Sequence, residues 1–458
     1  MTANGKTTYD VAVIGAGAVG CAIASALTRQ GARVALIEAR SDVGAGTSKA
    51  NTAIWHTGFD AKPGSVEARL VARGHRLLEE RADEFAWPIE RVGALLVAWD
   101  DEQVARLDPI IDQARANGYD RARPLSADEV YAMEPHLGPG ALGGVSIPDE
   151  GLLDPWTITI ALATDAVVNG ATLLLEAPVE RIDRMPDGYV VATPRGDITC
   201  TWLVNAAGLG SDLIDRAVGH EGFTITPRRG QLMVYDKAAR DLVRHVILPV
   251  PTATTKGVLV APTVYGNVLL GPTAEDLQDR TDTRTTREGM DFLLGHGRRI
   301  MPELLDFEVT ATYAGLRAAT EHSDYCYAVL ERYVRVAGIR STGISSCLAI
   351  AEQVCGDLAE AGLATTPLDA PRTVRMPNLA EGLPRPYADV ALIAADEAYG
   401  DLVCLCERVS AGEIRDALAS PVPARDADGL RRRTRALAGR CQGFHCGARI
   451  TTALRGAP

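Results

Sequence analysis

Three observations predict an α/β chain of several parts. Tyr9 to Arg40, YDVAVIGAGAVGCAIASALTRQGARVALIEAR, reads as a strand, a glycine-rich turn, a helix and a second strand in one unit. Short strands recur between Thr224 and Leu330 in an antiparallel pattern, and four of the nine cysteines crowd into the last 55 residues. Together they indicate a Rossmann-like dinucleotide-binding domain, an α+β substrate domain with an antiparallel sheet, and a small helical C-terminal cysteine module. At 458 residues the chain has room for two or three domains.

In the first unit, Val11, Val13 and Ile14 belong to a buried strand, and Gly15, Gly17 and Gly20 follow with G-x-G-x-x-G spacing. Gly15 permits the tight turn, Gly17 lets backbone approach a pyrophosphate, and Gly20 lets the helix pack closely on the strand. Gly31 stops the helix, Arg33 to Ile37 is the second strand, and Glu38 ends it. An acidic side chain there accepts hydrogen bonds from ribose hydroxyls and repels a 2′-phosphate, which indicates FAD or NAD rather than NADP.

Composition is that of a globular protein, 47% hydrophobic and 23% charged. A net charge of −12 argues against nucleic acid as the main partner. The polar start MTANGKTTYD lacks the regions of a signal peptide, and no apolar run reaches membrane-span length. A cytoplasmic enzyme, at most peripheral at a membrane, is expected. Cys21, Cys200, Cys326, Cys347 and Cys355 lie scattered in apolar segments and read as small core residues.

After Arg40 comes a Gly, Ser, Thr and Asn-rich loop suited to passing a bound cofactor, then His56 and a helix from Val66 to Arg81. A strand at Ala94 to Ala98 and helices at Glu102 to Ala116 and Ala127 to Met133 follow. Asp154 caps a long helix to Val168 with Pro155 at its first position. Strands at Thr172 to Leu175, Tyr189 to Ala192 and Ile198 to Leu203 lead into a small-residue turn at Gly208 and Gly210. Strands at Thr224 to Val234, Val246 to Pro249, Gly257 to Pro262, Asn267 to Gly271, Tyr313 to Ala318 and Tyr325 to Leu330 make the antiparallel part. Val334 to Ala337, Gly338, Gly343 and a helix from Ser345 to Val354 return to strand, turn and helix, with the helix start aimed at the cofactor. The turns at Gly208 and Gly343, with the His56 loop, indicate one extended cofactor held inside the protein, which favours FAD over a dissociable nicotinamide. The expected division is 1–85, 145–222 and 331–364 for the FAD domain and 86–144 with 223–330 for the substrate domain. A Pro-rich linker at 365–395 then leads to a module at 396–458.

These stretches resemble the D-amino-acid-oxidase-like superfamily of FAD-dependent oxidoreductases over about residues 8 to 360. HTGFDAKPGSVEARLVARG is similar to the L-2-hydroxyglutarate dehydrogenase subgroup. KGVLVAPTVYGNVLLGPTAED, YAGLRAAT and VAGIRSTGISSCLAIAEQV are similar to bacterial glycerol-3-phosphate dehydrogenases and oxidases. VCLCERVSAGEI and RTRALAGRCQGFHCGARI resemble a bacterioferritin-associated-ferredoxin-like module. The resemblance implies FAD contacts at Ala18, Ala39, Arg40, Thr47, Ser48, Asn51, Val179, Ala207, Gly315, Ile344 and Ser345, beside Gly15, Gly17, Gly20, Glu38, Gly208 and Gly343. It also implies hydride transfer from a substrate carbon bearing OH or NH to flavin N5.

That chemistry needs a proton acceptor, a cation for the substrate anion and positive potential at the reduced flavin. His56 fits the first need, Arg317 in AGLRAAT the second, and the helix start at Ser345 the third. The family's G-x-R motif is usually followed by Pro, where this chain has Ala318. Lys256 and Ser345 fall where the glycerol-3-phosphate enzymes contact substrate. Cys404-x-Cys406 and Cys441-x4-Cys446 supply four thiolates, which suit zinc or an iron–sulfur cluster alike, and the resemblance selects [2Fe–2S]. A cluster beside a flavin passes electrons singly to an acceptor protein or quinone, which favours a dehydrogenase over a peroxide-forming oxidase. The run Arg431, Arg432, Arg433 and Arg435 reads as a solvated helix face, one able to dock an acidic carrier. The expected substrate is a small anion, glycerol 3-phosphate first, then L-2-hydroxyglutarate or another hydroxy or amino acid. A competing class is a non-catalytic electron-transfer or redox-sensing flavoprotein subunit. Oligomerisation and further subunits stay open.

Overall fold

The structure, a computed structural model, describes residues 8–251 and 257–456. Thr8–Ile14 lies at the centre of an eight-stranded sheet. It pairs in parallel with Val34–Ile37 and with Ile198–Asn205, and Val34–Ile37 pairs in parallel with Thr172–Leu174. Alternation divides the strand. Val11 and Val13 face the helices, while Ala12 and Ile14 face a second apolar layer with Tyr189 and Tyr333. Both faces are covered, as a parallel sheet needs.

Ile198–Asn205 pairs along its second half with Tyr333–Ala337 in parallel, and that strand bonds Cys326–Leu330. Its first half carries the hairpin Arg181–Met185 and Gly188–Ala192. Arg181–Met185 is absent from the expected strands because only Ile182 in RIDRM is buried. A charged edge strand is the usual device against edge-to-edge association.

Ala18–Arg29 packs against Pro155–Val168 and Gly343–Glu360, and the last of these packs on Val66–Glu80. Asp154 caps its helix as expected, accepting from the N–H groups of Trp156 and Thr157. The approach of Val66–Glu80 to Gly343–Glu360 depends on Gly74, where a Cβ would lie 2.1 Å from the Ser345 carbonyl oxygen. The expected Ser345 to Val354 helix begins two residues earlier and runs on to Glu360. The expected Glu102 to Ala116 helix divides into Asp101–Val104 and Leu107–Ala116. Pro109 has no N–H to give the turn before it, which breaks the ladder there.

The second sheet has nine strands and is antiparallel except at one pair, Val246–Pro249 beside Ala94–Ala98. That departs from an all-antiparallel expectation. The chain leaves the sheet after Gly143–Ile147, crosses the first body, re-enters with Thr226–Tyr235, and only then lays Val246–Pro249 beside the earlier Ala94–Ala98 in the same direction. Thr226–Tyr235 pairs along its length with Val309–Ala319, which begins before the expected Tyr313.

Residues 365–389 lie across both bodies. The Leu368 N–H donates to the Arg29 carbonyl, Met376 to Phe85, and Glu381 beyond them to Val264. The last part contains the two-stranded Leu402–Cys404 and Val409–Ser410 and the helices Ala411–Ala419, Ala427–Thr434 and Gly447–Arg455. No helix among the described residues is long and apolar enough to cross a membrane.

Candidate active site

A cavity of about 900 Å³ opens at the C-terminal ends of the parallel strands Thr8–Ile14 and Val34–Ile37 and continues to the second sheet at Gly230, Leu232 and Leu259. Ligands of open α/β sheets bind at such strand ends. Of the expected cofactor contacts, Gly15, Gly17, Ala18, Glu38, Ala39, Arg40, Thr47, Ser48, Asn51, Val179, Ala207, Gly208, Gly315, Gly343, Ile344 and Ser345 all line it. Gly20 does not. Its Cβ would lie 1.8 Å from the Gly15 carbonyl oxygen, so its role is the close packing of helix on turn.

At one end, Gly15 has φ +103°, and the helix Ala18–Arg29 starts at Gly17 with no side-chain cap. Glu38 is held by two backbone donors, Ala16 N–H to Oε2 at 2.8 Å and Arg40 N–H to Oε1 at 2.9 Å. Ser48 Oγ accepts from the Ala18 N–H at 2.9 Å. The second uncapped helix start, Gly343–Glu360 after Thr342, faces the same cavity. Two positive helix ends, an oriented carboxylate and an elongated chamber fit an extended dinucleotide such as FAD.

His56 and Arg317 line the same chamber. His56 Nδ1 lies 3.0 Å from Glu150 Oε2. Glu150 is fully buried, and its other oxygen accepts from the Thr57 N–H at 2.6 Å and the Thr57 hydroxyl at 2.9 Å. The backbone N–H of His56 donates to Ser345 Oγ at 3.0 Å, which ties the loop to the helix start. With Nδ1–H directed at the carboxylate, Nε2 is the basic nitrogen. Glu150 escapes sequence reasoning because it sits 94 residues from His56 in PDEGLLDP, where an acidic residue before glycine reads as a turn.

Arg317 is partly buried, and among the described residues no carboxylate pairs with it. Burial, and then the charge of Arg228, push its guanidinium below the usual range. A desolvated cation with no carboxylate beside it suits an anionic ligand. Close walls keep it in place. A Cβ on Gly315 would lie 2.2 Å from the Ala50 carbonyl oxygen, and one on Gly230 would lie 3.1 Å from Arg317 Nη2. Ser345, expected to touch substrate, is 1% exposed, and its hydroxyl also donates to the Ile54 carbonyl. Lys256 lies outside the described residues.

The four C-terminal cysteines approach in two pairs, Cys404 with Cys446 and Cys406 with Cys441. Among the described residues no three His, Cys, Asp or Glu side chains form a group for a single ion. Two thiol pairs suit the two irons of a [2Fe–2S] cluster. The loop after Cys441 turns backbone donors onto its sulfur. The N–H of His445 chiefly, with those of Gly443 and Phe444 and the Cys406 thiol, holds Cys441 below the ordinary thiol range against the effect of burial. Such N–H to sulfur bonds stabilise thiolates in clusters.

The arginine run departs from a solvated face. Arg432, Arg433 and Arg435 are about 5% exposed. Arg432 and Arg433 both donate to Asp42, and Arg435 donates to Glu407 at 2.8 Å while lying 4.0 Å from the Tyr265 ring centroid. The partners are too distant in sequence for charge patterning to reveal them. Arg431 alone remains at the surface, beside Asp428.

The family model "FAD dependent oxidoreductase" matches residues 10–356, and "BFD-like [2Fe-2S] binding domain" matches residues 402–455. A glycerol 3-phosphate dehydrogenase of Caloramator mitchellensis is 38% identical over 97% of this chain and 94% of its own length. A glycerol 3-phosphate oxidase of Mycoplasma pneumoniae is 27% identical over 76% of this chain and 93% of its own. The solved structure of the dithionite-reduced L-alpha-glycerophosphate oxidase of that organism with FAD bound superposes with a TM-score of 0.76 at 26% identity, covering 81% of this chain and 100% of the other.

Proposed function

This chain belongs to the FAD dependent oxidoreductase family and carries a BFD-like [2Fe-2S] binding domain, and from that premise we propose that it is a glycerol-3-phosphate dehydrogenase. FAD and a [2Fe–2S] cluster are its cofactors, and it has full-length similarity to a glycerol 3-phosphate dehydrogenase. Bound FAD supplies a hydride acceptor for the carbinol carbon.

The observation that carries the reading is Arg317, a desolvated guanidinium in the same cavity as His56. Arg317 binds the phosphate through its planar fork. His56 Nε2 takes the proton of the secondary hydroxyl, and Glu150, across Nδ1, fixes the ring and stabilises the imidazolium that results. Ser345 keeps the His56 loop against the helix start, whose positive end favours negative charge nearby. Cys404, Cys406, Cys441 and Cys446 would hold the [2Fe–2S] cluster, which would supply one-electron transfer towards a protein or quinone acceptor.

Anaerobic addition of glycerol 3-phosphate to the holoenzyme should bleach the flavin absorbance. Bleaching by L-2-hydroxyglutarate but not by glycerol 3-phosphate would replace the substrate, and bleaching by no small hydroxy or amino acid would point to an electron-transfer subunit.

A further inference from the structure

The loop that faces the cofactor on one side is gripped on its other side by the cysteine module. Glu38, Arg40, Thr47 and Ser48 line the cavity. Between them, Asp42 is fully buried and accepts a two-pronged pair from Arg433, Nη1 at 2.7 Å and Nη2 at 2.8 Å, together with a bond from Arg432. Ser41 Oγ donates to Asp426 Oδ2 at 2.8 Å, and Lys49 Nζ lies 2.7 Å from Asp428 Oδ2. All these module partners belong to the helix Ala427–Thr434 and its cap Asp426.

The same helix reaches the thiols. It ends at Arg435, which donates to Glu407, the residue after Cys406. Four residues after Arg435, Gly439 packs so closely that a Cβ would lie 2.4 Å from the Cys406 Cβ, and Cys441 follows. One helix and the turn that follows it therefore join the flavin-facing loop to the cluster loops.

We propose that the helix Ala427–Thr434 is a clamp through which FAD binding and cluster assembly strengthen each other, with the Asp42 to Arg432 and Arg433 contact as the coupling joint. Iron held by the thiols fixes the 435–446 segment and with it the helix, and the helix fixes residues 41–49 in the shape that meets FAD. Linkage makes the effect reciprocal, so FAD tightens cluster retention by the same factor. The inference rests on the two cofactors and is independent of the substrate, so a wrong substrate leaves it standing.

The test is a double-mutant cycle read by the fluorescence of released flavin. FAD dissociation constants are measured for the intact protein, Asp42→Asn, the cluster-free Cys406→Ser/Cys441→Ser protein, and the combination. Asp42→Asn and cluster loss should each weaken FAD about 10-fold, and the combination should be no weaker than either alone. Unchanged FAD affinity on cluster loss, or effects that multiply to about 100-fold, would overturn the clamp. If Asp42→Asn does not fold, Arg433→Lys replaces it under the same criteria, since it keeps a cation beside Asp42 and removes the two-pronged pair.

Discussion

His56 Nδ1 stands 3.0 Å from the carboxylate of Glu150, a side chain with no solvent exposure. This contact orients the ring and suits its other nitrogen to accept a proton. His56→Gln should slow flavin reduction by substrate at least a hundredfold while FAD stays bound. Glu150→Gln should slow it by about tenfold or more, since the amide keeps the hydrogen bond but not the charge. Stopped-flow bleaching with FAD content measured in parallel checks both. Equal loss of FAD and of rate would remove His56 from the chemistry.

Arg317→Met should cost about 2–5 kcal/mol in kcat/KM, most of it through KM for the anionic substrate. Arg317→Lys should recover part of that loss, because the ammonium keeps charge without the fork. Inorganic phosphate at about 100 times its Kd should stabilise the unchanged protein by about 2.7 kcal/mol and leave Arg317→Met unaffected. Thermal melts with and without phosphate read this directly.

Cys406→Ser should abolish the visible absorption and iron content of the cluster. With FAD in excess, substrate should still bleach the flavin within about threefold of the normal rate, while reduction of a one-electron acceptor collapses. A protein that keeps full acceptor reduction without iron would contradict the electron route.

Acid should detach the module late. Burial alone would raise the Asp42 carboxyl, but the hydrogen bonds and charge of Arg433, with the charge of Arg432, hold it below its usual 3.8. Asp428, likewise, is lowered by Lys49 and its arginine neighbours in spite of burial. A depressed folded value means the stabilisation is fully present above pH 3.8 and is lost as pH falls through the folded values. Flavin release should therefore be flat from pH 7 to about 5 and steepen only below about 4. Asp42→Asn should blunt that acid step. A step centred near pH 6 would implicate histidines instead.

Gly74→Ala forces a Cβ to within 2.1 Å of the Ser345 carbonyl oxygen. Pushing the two helices apart should cost about 1–3 kcal/mol and displace the His56 loop that Ser345 holds. Denaturant melts give the first quantity and the rate of flavin bleaching the second.

What was legible in the sequence was local. Gly15, Gly17, Gly20 and Glu38 announce themselves because a tight turn, a close approach and a ribose contact each demand a residue type at fixed spacing. Arg317 entered through resemblance, and the four C-terminal thiols were legible from their spacing, with resemblance selecting the [2Fe–2S] cluster; which thiol meets which in space was not legible. Glu150 and the Asp42 joint were not, because a buried charge is specified by a partner brought in by tertiary packing. The arginine run shows the same limit, since RRRTR read alone is a surface and becomes an interior only with Asp42 and Glu407 beside it.

The Asp42 to Arg433 contact joins residues 391 positions apart. In the order of synthesis, a carboxylate made near the start must wait for cations made near the end. A chain interrupted before Arg432 leaves Asp42 without the guanidiniums that pair with it in the complete fold, and so leaves the 41–49 loop without that tie. The tie between the 41–49 loop and the module therefore closes only once the last part of the chain has been made.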